Sequence, residues 1–200
     1  MHRIARRSTI LAAFVGIAFS ATWAAEAPGA RDLSVDQRPY VDIMPSTSGP
    51  MKVEAWVDHR SGVYRVGSTL RLSVRPSNDA YITVLDIGSS GRATVLFPNR
   101  RSRENYVRGG ETLELPDGGW AIGVHGPTGA DLIMVFASTS RLPIFHGHVT
   151  ESDIYEMLDS NPRDVTRDLA VVLNSDHKKK WAGTWRVIRI KPARSDDDGD

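Results

Sequence analysis

The sequence that decides the fold is residues 64–99, YRVGSTLRLSVRPSNDAYITVLDIGSSGRATVLFPN. Apolar and polar residues alternate in residues 70–74 (LRLSV), which is typical of a half-buried antiparallel strand. Residues 81–87 (YITVLDI) are apolar on both faces, and this pattern predicts a central strand. Residues 93–97 (ATVLF) follow a short glycine-flanked loop, residues 88–91, that suits a hairpin. The stretch therefore predicts three strands and two turns.

The same period of two recurs outside this stretch. Residues 51–57 alternate in the same way, and Gly- and Pro-rich turns occur between many of the later apolar segments. Further strands are predicted at residues 111–115, 120–124, 132–137 and 184–190. Short strands at this spacing indicate a mainly β protein, and we predict an antiparallel β-sandwich, Ig-like or related, over residues 51–190.

Both ends of the chain have a different composition. Residues 25–50 are rich in Pro, Gly, Ser and Asp, and we expect an extended linker with a short strand around residues 40–43. Residues 191–200 are polar and acidic, which predicts a disordered tail. Three alternating aspartates in this tail lack most of the ligands of a calcium loop, so a solvated tail is the better interpretation.

One or two short helices are predicted in the C-terminal half. Thr150 is placed as an N-cap with Asp153 as its capping-box acid, which predicts a helix over residues 151–158. Asn161 and Pro162 form a second cap signal, because proline suits the first helical position. The pattern of residues 165–173 (VTRDLAVVL) fits either a helix or a strand.

Residues 1–24 have the three parts of a secretory signal peptide. Three arginines precede an apolar run over residues 10–19, and small residues allow cleavage after Ala24. We expect a periplasmic or secreted protein whose mature form does not span the membrane; the alternative is an uncleaved N-terminal anchor. The chain has no cysteine, which excludes disulfides, thiolate metal sites and a cysteine nucleophile.

Removal of the leader changes the sign of the net charge. The full chain has 25 Lys and Arg residues against 24 Asp and Glu, and the leader contains three arginines and no acid, which leaves 22 against 24, or about −2. A near-neutral, slightly acidic protein has no general attraction to nucleic acid or to anionic lipid. We therefore expect no nucleic-acid partner.

Several landmarks of the chain resemble a known bacterial family. They are the Tyr-x-Val-Gly start at residues 64–67, the Leu-Phe-Pro-Asn end at residues 96–99, residues 107–111 (VRGGE), residues 126–129 (GPTG) and residues 165–169 (VTRDL). These features are similar to those of the family DUF4384, a domain of unknown function, over roughly residues 54–190. The resemblance implies a β-sandwich module of exported or envelope-linked proteins. It implies no established activity and no catalytic residues.

His146 and His148 are the best metal candidates in the sequence. At positions i and i+2 of an extended segment, their imidazoles face the same way, and His125 or Glu151 would complete a ligand set. Because spacing fixes only two ligands, we interpret the pair as ordinary polar residues before a helix cap and predict no metal and no cofactor.

Other candidate motifs have simpler explanations. Residues 88–91 (GSSG) do not form the G-x-S-x-G elbow of hydrolases. Asp164 and Asp168 share a helical face, but Arg163 and Arg167 each directly precede one of them, which indicates a surface ion-pair face. Residues 178–180 (KKK) precede Trp181 and Trp185, a pattern compatible with binding of an anionic polymer or a sugar. A solvated loop before a strand with core tryptophans is the simpler interpretation.

The sequence therefore predicts a non-enzymatic interaction or scaffolding module of the bacterial envelope, with another envelope protein as its partner. The first alternative is a domain that binds a cell-wall or extracellular glycan through exposed aromatic residues. The second is a metal-dependent hydrolase centred on His146 and His148. The sequence leaves the oligomeric state open.

Overall fold

A computed structural model describes residues 29–44, 50–143, 149–151, 154–158, 161–174 and 180–194. The described chain is mainly β, with two α-helices and one 3-10 helix (Ala30–Asp32). The helices are α1 (Arg38–Asp42) and α2 (Pro162–Asn174). The strands are β1 (Val53–Val57), β2 (Val63–Arg65), β3 (Thr69–Leu70), β4 (Leu72–Pro76), β5 (Ala80–Ile87), β6 (Ala93–Phe97), β7 (Tyr106–Val107), β8 (Leu113–Leu115), β9 (Ile122–Gly123), β10 (Gly129–Ser138), β11 (Val149–Glu151), β12 (Glu156–Leu158) and β13 (Trp181–Lys191).

The strands form one large and two small sheets. The large sheet has the order β11-β12-β6-β5-β10-β13-β2, with β7 also paired to β5. A three-stranded sheet has the order β1-β4-β8, and β3 pairs with β9. Within the described residues, the pairing of β2 with β13 is parallel and the other pairs are antiparallel. The predicted mainly β, antiparallel class is confirmed.

The apolar core lies on both faces of the large sheet. One face packs against the three-stranded sheet, and this core includes Ala55, Leu72, Val84 and Val135. The other face packs against the N-terminal segment and α2, and this core includes Leu85, Leu132, Phe136, Tyr40 and Leu169. The large sheet is therefore the middle of three layers.

Strand β5 is central, as its sequence predicts. It pairs with β6, β7 and β10, and Val84 and Leu85 belong to cores on opposite faces. The turn into β6 depends on Gly91, which has a φ of +77°. A Cβ atom there would lie 2.6 Å from Pro162 Cγ and 2.7 Å from Asp36 Cβ, so no other residue fits without a shift.

The predicted helix over residues 151–158 is wrong. Its ends form β11 and β12, which pair with each other, and β12 pairs with β6. The edge of β6 offers unpaired backbone groups over Thr94 and Val95, and pairing with them outweighs the local capping signals at Thr150 and Asp153. The pairing of this segment with a strand that is distant in sequence cannot be deduced from local sequence signals.

The ambiguous residues 165–173 lie in α2. Asn161 caps it, because its Oδ1 accepts hydrogen bonds from the backbone N–H groups of Arg163 (2.9 Å) and Asp164 (3.1 Å). Val165, Leu169 and Leu173 recur every four residues and are all buried.

The N-terminal segment also differs from expectation. The predicted strand around residues 40–43 is wrong, since this region forms α1, with Pro39 in its first turn. The described part of the expected linker, residues 29–44, packs on the large sheet and buries Leu33, Gln37, Tyr40 and Met44. The Tyr40 hydroxyl donates a hydrogen bond to the carbonyl of Gly91, 2.9 Å away.

Candidate functional site

A cavity of about 340 Å³ opens between the large sheet and the loop after β9. Its floor is the inner face of β5, β6, β10 and β13, where Ile133 and Ile188 contribute apolar surface. Its walls are the turn between β5 and β6 and residues 122–127. Both glycine-rich loops noted in the sequence, residues 88–91 and 126–129, therefore meet at or beside one cavity.

Two aspartates occupy the floor of this cavity. Asp86 lies opposite Ile133 in the β5–β10 pairing, and Asp131 precedes Ile133 by two residues. Because side chains alternate along a strand, Asp86 and Asp131 project from the same face of the sheet. Both aspartates line the cavity. Asp86 Oδ1 is shielded from solvent and has no hydrogen-bond partner among the described residues.

The environment raises the pKa values of both aspartates. Burial, followed by the negative charge of Asp131, raises the pKa of Asp86 to about 8. Burial raises the pKa of Asp131 to about 6, although a hydrogen bond from the Ser89 backbone N–H acts in the opposite direction. The two carboxyl groups titrate as a pair, so the ionisation of one opposes the ionisation of the other.

Further polar side chains line the cavity, among them Tyr155, His125 and Arg92. The Tyr155 hydroxyl donates a 2.5 Å hydrogen bond to the carbonyl of Ala121, and burial, followed by the charge of Asp86, raises the pKa of Tyr155 to about 12. His125 and Arg92 are exposed and lie at the mouth. In the described part of the chain, no ion pair joins Arg92 to either aspartate.

Two features common in hydrolases are absent from the described residues. The loop with Ser89 and Ser90 connects two strands, so it is not the strand-to-helix elbow that exposes a hydrolase nucleophile. Among the described residues, no group of three His, Cys, Asp or Glu side chains is arranged to hold a metal ion. The cavity combines two carboxyl groups and other polar side chains with an apolar floor.

Most of the sequence-predicted metal candidates lie outside the described residues. His146 and His148 lie outside the described residues, as does the predicted cleavage site at Ala24. Glu151 is the last residue of β11, and its side chain is also outside the description. His125, the remaining candidate, lies at the cavity mouth.

The other sequence candidates have structural roles. Arg167 forms ion pairs with Asp164 (3.1 Å) and Asp168 (3.4 Å) on α2, which agrees with the surface ion-pair interpretation. Trp181 is buried, and Trp185 is partly buried against the same core. Of the basic run, only Lys180 is described.

A second feature lies on the outer face of the three-stranded sheet. Trp56 is 39% exposed there, and the Arg75 guanidinium carbon lies 5.6 Å from the centroid of its ring. Glu54 holds Arg75 through an ion pair of 2.6 Å. Ser73, directly opposite Trp56 in the strand register, donates a 2.8 Å hydrogen bond to Glu114. An aromatic ring is thus surrounded by polar side chains that already have partners.

Comparison with known proteins supports the resemblance drawn from the sequence. Residues 63–141 match the family described as a domain of unknown function, DUF4384. The match covers β2 through β10 and residues 139–141, and therefore includes Asp86 and Asp131. No curated protein and no solved structure matches this chain. No helix in the described residues is long and apolar enough to cross a membrane.

Sequence reasoning missed the two aspartates. Each is a single acidic residue in an apolar strand, YITVLDI and GADLIMVF, and such a residue is costly to bury. An acidic residue within an otherwise apolar strand is therefore a sequence signal that can identify such a site. The sequence did not show that the two strands are neighbours in the register that places both carboxyl groups on one face.

Proposed function

We propose that the protein is a non-enzymatic interaction module of the bacterial envelope, and that the outer face of the β1-β4-β8 sheet binds another exported protein. The observation that carries the proposal is Trp56 in its polar setting. Trp and Arg are among the residues most enriched among those that dominate binding energy at interfaces.

The surroundings of Trp56 fit the anatomy of a protein interface. Such interfaces combine an apolar or aromatic centre with a polar, solvated rim. Arg75 is fixed by Glu54, and Ser73 is bonded to Glu114, so little side-chain freedom is lost when a partner docks. The face carries both charge signs, which favours a partner with a mixed polar surface over a polyanion.

The leader-like residues 1–24 support the envelope as the location of this partner. Export places the mature domain among other exported proteins. The partner is therefore sought in an envelope extract and not in the cytosol.

The experiment locates the partner and then measures its affinity. Mature protein carrying a photo-crosslinking residue at Glu114 is irradiated in envelope extract. A second sample carries the same residue at Val171, which is 62% exposed on α2. A protein captured from position 114 but not from position 171 is then purified, and its binding to the unlabelled protein is titrated.

The decisive variant is Trp56→Ala. We expect it to weaken binding at least about 30-fold, which corresponds to the roughly 2 kcal/mol that defines a dominant interface residue. Tyr106→Ala is the matched control, since Tyr106 is a 50% exposed aromatic residue in the other sheet and its loss leaves affinity unchanged. Equal affinities of the Trp56→Ala variant and the unaltered protein contradict the proposal.

Glycan binding is the competing outcome of the same experiment. A sugar needs an open aromatic face, whereas Arg75 lies over one face of the Trp56 ring. If purified cell-wall oligosaccharides bind the mature protein and Trp56→Ala abolishes that binding, the glycan function replaces the proposal.

A further inference from the structure

The cavity that holds Asp86 and Asp131 has no role in binding through the Trp56 face. It lies beneath the loop after β9, whereas Trp56 is on the outer face of the three-stranded sheet. Its volume of about 340 Å³ is at the lower end of the range for small-molecule sites, roughly 300–1,000 Å³. The cavity therefore suits a small ligand.

Its chemistry selects a ligand with positive charge. A buried carboxyl oxygen without a partner is costly, and Asp86 Oδ1 is such an atom. Asp131, on the same face of the sheet, adds negative charge close to it. A positively charged donor can give a hydrogen bond to the Asp86 oxygen and also neutralise the negative charge of Asp131.

An organic cation fits better than a metal ion. Calcium and magnesium take six or more oxygen ligands, while the floor of this cavity combines two carboxyl groups with apolar side chains such as Ile133 and Ile188. An ammonium group donates up to three hydrogen bonds, and an attached hydrocarbon chain gains from contact with the apolar floor.

We infer that the cavity binds a small primary aliphatic amine in its protonated form. The ammonium group lies between Asp86 and Asp131, and the hydrocarbon part lies against Ile133 and Ile188. The site combines a fixed charge with an apolar surface, which is the usual composition of a small-molecule pocket.

Binding of this ligand releases a proton. The titratable and charged groups that line the cavity with Asp86 are Asp131 from β10, Arg92 from the turn after β5, His125 from the loop after β9 and Tyr155 from the segment before β12. Because the pKa values of both aspartates are raised, the pair retains proton near neutral pH, and an ammonium ion placed between the two carboxyl groups favours ionisation of both. The released proton is a signature that simple filling of an apolar cavity does not produce.

The probe is n-pentylammonium, titrated calorimetrically into the mature protein at pH 7 in buffers of different ionisation enthalpy. We expect saturable one-to-one binding that is accompanied by proton release. Neutral 1-pentanol tests the requirement for charge, and tetramethylammonium tests the requirement for N–H donors; both bind at least about tenfold more weakly. The proton release is measured on the unaltered protein, so it does not depend on any variant folding.

Asp86→Asn and Asp131→Asn test the assignment of the head group. Each is expected to weaken n-pentylammonium binding at least about tenfold and to reduce the proton release. Asp168→Asn, a change of the same kind on the exposed face of α2, leaves both unchanged. Trp56→Ala also leaves both unchanged, so failure here is distinguishable from failure of the protein-interaction proposal.

Three results overturn the inference. The first is no saturable binding of n-pentylammonium up to about 10 mM. The second is equal binding of 1-pentanol, which would identify an unselective apolar cavity. The third is stoichiometric binding of calcium or zinc that is lost in the Asp86→Asn variant, which would identify a metal site.

Discussion

A lone aspartate in a buried apolar strand reduces the stability of the fold in a pH-dependent way. The pKa of Asp86 is about 8 in the folded protein, and burial is the main cause. An unfolded chain has an aspartate pKa near about 3.9. Between these values the folded state binds more protons than the unfolded state, so the free energy of unfolding falls as pH rises. Asp131, with a pKa of about 6, contributes in the same direction over a narrower range.

Asp86→Asn is predicted to remove most of this dependence. Asparagine is neutral at every pH, so the variant loses less stability than the unaltered protein between pH 5 and 8.5, and the difference between them grows with pH. Urea unfolding at a series of pH values measures the difference in free energy of unfolding between the two proteins, with Asp168→Asn as the control. Parallel pH profiles for Asp86→Asn and the unaltered protein would show that Asp86 ionises as readily when folded as when unfolded.

Single residues that turn the backbone are predictable from sequence, whereas residues that form a site through distant pairing are not. Gly67, Gly91 and Gly110 have φ values of +88°, +77° and +82°, as their turn positions predict. The nearness of Asp86 and Asp131 depends instead on pairing between strands that are more than forty residues apart. No local pattern contains that register.

Strands defined by their own periodicity are predicted well. Residues 93–97 coincide with β6, and residues 51–57, 81–87 and 132–137 contain or largely overlap β1, β5 and β10. The segment at residues 151–158 fails because its capping signals are local while its pairing with β6 is not. The short strands β2 and β7 were also missed, since two or three residues carry too little periodic signal.

The central position of β5 predicts a large cost for loss of its core side chains. Leu85 is fully buried between the large sheet and α2, so Leu85→Ala should lower the free energy of unfolding by roughly 2–5 kcal/mol. Arg71, whose side chain is exposed, is the comparison, and Arg71→Ala should cost about 0.5 kcal/mol or less. Urea unfolding measures both, and equal losses would contradict the central role of β5.

The three-layer arrangement depends on a segment that composition alone assigns to a linker. Residues 29–44 are rich in polar residues, yet four of their side chains enter the core against the large sheet. Gln37 has no exposed surface, and its Nε2 donates hydrogen bonds to the carbonyls of Ile87 (2.9 Å) and Ala130 (2.8 Å). One polar side chain thus ties the N-terminal layer to the ends of β5 and β10, next to the strand residues that carry the cavity.

Gln37→Ala is therefore predicted to loosen the N-terminal layer as a unit. The variant removes the side chain that donates hydrogen bonds to the two strand carbonyls. It also removes Gln37 Oε1, which in the unaltered protein accepts a 2.9 Å hydrogen bond from the backbone N–H of Ser34. We expect a loss of about 1–3 kcal/mol in the free energy of unfolding. Chymotrypsin should also cleave faster after Tyr40, which is buried in the intact protein, because local opening exposes α1. Val35→Ala, in the same segment but at a side chain 77% exposed, should change neither quantity. If Gln37→Ala has the same free energy of unfolding and the same cleavage rate as the unaltered protein, residues 29–44 contribute as little to stability as the linker that their composition suggests. The stability of the molecule then comes from its two β layers and α2.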